Sequence, residues 1–106
     1  MTTKNRKKEL TDVERLEKNI GRVSFASFIR SWRLSDEVSQ TEFAKKIGIS
    51  VQNLNDLEKG RRIPSPARAA KIAKKLNVPE LGLIQFALDD MLHKDGLNFK
   101  VTLETA

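Results

Sequence analysis

Two serines eleven residues apart, Ser39 and Ser50, restrict this chain more than any other feature. Ser39 is followed three places later by Glu42, a capping box in which each side chain meets a backbone amide that the first helical turn leaves unpaired. Ser50 caps a second helix through its own hydroxyl. The junction between them, Gly48-Ile49-Ser50, is too short for antiparallel packing and forces a steep crossing of about 90–120°. Gly48 supplies the positive φ that so tight a turn demands. A steep crossing also needs a small residue at the point of contact, and Ala44 stands there. Phe43 and Ile47 on the first helix, with Leu54 and Leu57 on the second, complete the predicted buried side.

Three further helices are predicted around this pair, making five over residues 24–94. The first runs from about Ser24 to Leu34, with Phe25, Phe28, Ile29 and Trp32 on one stripe. Gly60 closes the third, and Ser65-Pro66 starts the fourth, because proline suits the first helical position. Ile72, Ala73 and Leu76 form its apolar side. Val78-Pro79 opens a fifth helix that continues to about Lys94. Leu81, Ile84, Leu88, Met91 and Leu92 read as its inward stripe, which leaves Leu83 and Phe86 as a second apolar surface. The period then changes: Phe99, Val101 and Leu103 alternate with polar residues, as in a half-buried strand. A lone strand leaves its backbone groups unmet, so this one is expected to pair with a second copy. Leu83, Phe86, Phe99, Val101 and Leu103 are accordingly the expected dimerisation residues.

The expected fold is thus all-α with five helices plus a C-terminal β-strand for dimerisation. Residues 1–23 are a basic arm, Lys4–Lys8, with a conditional helix over 11–20. Residues 24–94 form the helical domain and 95–106 the tail. Composition limits what such a domain does. The absence of cysteine excludes disulfide frameworks and thiol nucleophiles, and one histidine with no tyrosine leaves little for acid–base or metal chemistry. An enzyme is not expected, nor a cofactor or metal. The N-terminus has no apolar signal region and no run approaches a membrane span, which reads as cytoplasmic with no membrane partner. A net charge of +6 favours an anionic partner, nucleic acid first.

The residues that carry a family resemblance are Ile29, Trp32-Arg33, Ser39-Gln40, Phe43-Ala44, Ile47-Gly48-Ile49-Ser50, Leu54, Leu57-Glu58-Lys59-Gly60-Arg61-Arg62, Pro64-Ser65 and Ile72-Ala73 with Leu76-Asn77-Val78. Together they resemble the phage-repressor/Cro-type (XRE-type) helix-turn-helix family, over roughly the segment Ser24–Leu92. The resemblance implies a lambda-repressor-like DNA-binding domain. It also implies a DNA contact at Gln40 and a structural ion pair between Arg33 and Glu58. One departure is Glu37, where the family often has glycine.

Helix geometry indicates which side chains would meet duplex DNA. With Leu54 and Leu57 inward, the opposite face of the third helix carries Gln52, Asn55, Asp56 and Lys59, with Val51 on its flank. An α-helix fits the major groove, and amides pair bidentately with adenine. Gln52 and Asn55 are the expected base readers. Val51 suits a thymine methyl, and Asp56 either accepts from cytosine N4 or repels other edges. Gln40, Ser50, Lys59, Arg61 and Arg62 are the expected backbone contacts. Trp32 and Phe43 read as core, and the Lys4–Lys8 arm as either a tail or a DNA wrap. The leading functional expectation is a repressor acting as a homodimer on palindromic double-stranded DNA. The alternatives are an antitoxin that binds a small toxin protein and represses their operon, and an interaction module that has lost DNA.

Overall fold

Serine hydroxyls begin the first four helices among the described residues. The computed structural model describes residues 22–106; the Lys4–Lys8 arm and the helix read over 11–20 therefore lie outside the described residues. Ser24, Ser39, Ser50 and Ser65 each accept a hydrogen bond at 3.1 Å from the amide three residues on. They cap α1 (Phe25–Asp36), α2 (Gln40–Ile47), α3 (Val51–Glu58) and α4 (Pro66–Leu76). In the capping box the Glu42 carboxylate in turn accepts from the Ser39 amide at 3.3 Å. Pro66 occupies the first turn of α4. The fifth helix, α5 (Glu80–Lys94), follows Pro79 with no side-chain cap.

The helix ends explain the tight turns. Gly48 is left-handed at φ 76°, its amide donating to the Lys45 carbonyl while the Ile49 amide donates to that of Ala44. Asn77 ends α4 in the same region, which asparagine tolerates. Glu37 ends α1 there too, at φ 57°. The turn that glycine usually serves is thus made by a glutamate, whose Cβ is strained in this conformation.

One core unites the five helices. Phe25 and Ile29 of α1, Phe43, Ala44 and Ile47 of α2, and Leu54 and Leu57 of α3 are buried with Ala69, Ile72, Ala73 and Leu76 of α4. Half-buried Trp32 and Phe28 pack at its edge, their ring centroids 5.7 Å apart. α5 lies along α4 and also touches α1.

The α5 face is a correction to the sequence reading. Its buried residues are Leu83, at 3% exposure, Ala87 and Asp90, whereas Leu81 is 41% exposed. Leu83 is therefore core and closed to a dimer contact. Phe86 is half-buried, with its ring centroid 5.3 Å from that of Phe28. An aspartate on the true inward stripe misled the periodicity. Asp90 is buried because one carboxylate oxygen accepts from the Phe25 amide at 3.0 Å and the other from Arg22 at 2.7 Å. It caps α1 from across the domain.

The expected C-terminal strand is likewise absent among the described residues. Residues 97–104 turn back against α5 without a ladder. The Leu97 amide donates to the Leu92 carbonyl at 2.9 Å, and the Val101 amide to the Asp89 carboxylate at 3.3 Å. Alternation alone cannot make a strand when no neighbouring strand accepts its hydrogen bonds. Val101 and Leu103 are half-buried, and Phe99 is 71% exposed.

Candidate nucleic-acid interface

α3 is presented outward by the crossing beneath it. Ala44 on α2 is fully buried, and Leu54 and Leu57 hold the underside of α3 in the core. Val51 and Gln52 stand exposed at the N-terminal end of α3, with Val51 at 41%. Asn55 and Asp56 follow one turn later, half-buried, and Lys59 is exposed at the C-terminal end. Gln52, Asn55, Asp56 and Lys59 lie on the side of the helix opposite Leu54 and Leu57, with Val51 on the flank.

A chain of hydrogen bonds ties this face to α1. Arg33 grips Glu58 with two guanidinium nitrogens, at 2.7 and 3.0 Å, and gives a third bond to the Val38 carbonyl at 3.1 Å. The Gln40 amide donates to the same Glu58 carboxylate at 3.0 Å and to the Asn55 side-chain oxygen at 3.3 Å. Burial pushes the Glu58 carboxyl up, but the hydrogen bonds from Arg33 and Gln40, with the positive charges of Arg33 and Arg30, hold it below its ordinary value. The hydrogen bond to Glu58 likewise raises Arg33 against the effect of its own burial. Gln40 thus lies between the clamp and Asn55, which sequence spacing alone does not reveal.

A second chain runs along the outer edge. Gln52 donates through its amide to Asp56 at 3.2 Å, and the guanidinium of Arg61 lies 3.6 Å from the same oxygen. Arg61 is brought back toward α3 because its amide donates to the Asp56 carbonyl at 2.9 Å after the left-handed Gly60. Arg62 is exposed in the same loop, and Ser50 is engaged as the α3 cap. The structure thus groups Gln40, Ser50, Val51, Gln52, Asn55, Asp56, Lys59 and Arg61 around α3. Lys46 instead faces Asp36 at 3.3 Å.

The Asp90–Arg22 contact was missed in the sequence. Its visible signal was the Asp89-Asp90 pair inside a largely apolar helical stretch. Among the described residues, no group of histidine, aspartate and glutamate is arranged to hold a metal ion, and no helix is long and apolar enough to cross a membrane.

Residues 29–83 match the helix-turn-helix family model. Across 50 residues the chain is 42% identical to the uncharacterised HTH-type transcriptional regulator YazB of Bacillus subtilis (strain 168), a match covering 47% of this chain and 72% of that protein. It is also 36% identical over 70 residues to the ImmF control region 10 kDa protein of Bacillus phage phi105, covering 66% of this chain and 77% of that one. No solved structure matches the chain significantly.

Proposed function

The chain belongs to the helix-turn-helix family, and from that premise we propose that it is a DNA-binding transcriptional regulator, a repressor that reads a palindromic operator as a homodimer. The observation that carries this reading is the outward row of Val51, Gln52, Asn55 and Asp56 on a helix whose other side is locked in the core. A helix so placed enters the major groove with its N-terminal residues at the base edges. Gln52 and Asn55 offer the paired donor and acceptor that adenine N6 and N7 require, and Asp56 offers an acceptor to cytosine N4. Gln40, Ser50, Lys59, Arg61 and Arg62 surround the helix and supply phosphate contacts. The likeness to a transcriptional regulator and a phage control-region protein supports the regulator part of this reading. Regulation of DNA involves no chemistry on a substrate, so the protein acts as a binder and not as an enzyme.

Two copies about 34 Å apart would read adjacent turns of the duplex, which gives a selectivity that one short helix lacks. The apolar residues that α5 leaves outside the core, Leu81, Leu88 and Leu92, supply material for that pairing.

Selection of bound sequences from a random duplex pool tests the reading. A palindromic consensus is expected. Gln52→Ala and Asn55→Ala should each relax one base position at a cost of about 1–3 kcal/mol. A pool that yields no enriched sequence, with retention unaffected by both substitutions, would overturn it.

A further inference from the structure

A cleft of about 390 Å3 lies between the α2–α3 turn and α4, outside the two hydrogen-bond chains around α3. Ile49 and Ile72 contribute apolar lining, and Arg68, Lys71 and Lys75 carry the charge; no carboxylate lines it. All three cations are exposed. Among the described residues none of them lies within ion-pair distance of an acid, whereas Lys74 on the same helix meets Glu80 at 3.3 Å. Their spacing of three and four residues places them on one face of α4, over about 10 Å of helix. Like charges so placed repel one another, and an anion that bridges them relieves the repulsion.

Position indicates which anion. The cleft is bounded by Gly48 and Ile49, immediately before the residue that caps α3. Lys75 reaches that turn, since a Cβ built on Gly48 would lie 3.9 Å from its Cε. The cationic row therefore adjoins the end of α3 that enters the groove. A duplex strand presents one phosphate per roughly 3.4 Å of axis, so a row of this length spans about three. A repeating polyanion fits an open rim of separated cations better than a single small anion, which would need converging buried donors.

We propose that Arg68, Lys71 and Lys75 form a second phosphate-binding track, which extends the footprint along α4 beyond the contacts around α3. The inference rests on the DNA-binding reading above. The test is the salt dependence of binding to a mixed-sequence 40-base-pair duplex by the full-length protein. Arg68→Gln/Lys71→Gln/Lys75→Gln should reduce the magnitude of the slope of log K against log salt by about 2–3 per protomer. Lys94→Gln/Lys100→Gln, at the end of α5 and in the tail, should change it by less than about 0.5. All five side chains are exposed, and an unchanged circular dichroism spectrum and melting point confirm that each variant is folded. A triple-variant slope equal to that of the natural sequence, or a per-charge loss equal to that of the control, overturns the track while leaving DNA binding in place. Absence of duplex binding by the natural sequence at low salt would instead remove both readings.

Discussion

The α2–α3 pair and α5 stand at opposite ends of how local signals relate to tertiary structure. In α2–α3 every local cue points the same way: the serine caps, the glycine turn, the small residue at the crossing and the inward leucines are each satisfied in place. In α5 the cues conflict. Apolar residues surround the helix, it lacks a side-chain cap, and its buried stripe includes an aspartate. Periodicity identifies a core face only where the other faces are polar, and on α5 they are not.

The first way to break this contrast is at the clamp behind α3. Glu58→Ala should destabilise the domain by about 3–5 kcal/mol, because Arg33 is left largely buried and unpaired. Urea unfolding measures this, and a loss below about 1 kcal/mol would show the pair to be dispensable. On α5, Leu83→Ala should cost about 2–5 kcal/mol, while Leu81→Ala should stay within about 0.5 kcal/mol for the monomer. The reverse order would restore the face that periodicity favoured. Asp90→Ala leaves the Phe25 amide without its acceptor and should cost about 1–3 kcal/mol, read as a lower melting temperature.

The pH dependence sharpens the same comparison. The Glu58 carboxyl is held below its ordinary value in the folded protein, so its contribution is complete above the unfolded value near 4.3 and is lost as pH falls through the folded one. Stability of the natural sequence should therefore decline more steeply below about pH 5 than that of Glu58→Gln. Parallel curves would remove the clamp from acid unfolding. The smallest effect belongs to the α1–α2 turn: Glu37→Gly should relieve the left-handed backbone and raise stability by about 1 kcal/mol.

The candidate site was legible in the sequence to the extent that it depends on helix geometry. Gln52, Asn55, Asp56 and Lys59 were placed on one face, with Val51 on its flank, by their register with Leu54 and Leu57, a one-dimensional property of α3. The partners of these side chains were not visible. That Gln40 joins Glu58 to Asn55, or that Gln52 and Arg61 meet on Asp56, depends on how helices and loops approach one another in space. The strand expected over 97–104 failed for a related reason. Phe99, Val101 and Leu103 alternate correctly, but strand pairing is a relation between two segments and one segment cannot supply it.

What the amino-acid order determined alone was where four helices begin, where the chain turns, and which side of α3 faces outward. These outcomes follow from bonds and backbone angles among residues within about five positions of one another. Tertiary structure alone decided which face of α5 is buried. Burial of Asp90 is tolerable only because Arg22 and the Phe25 amide, 68 and 65 residues away, satisfy its carboxylate.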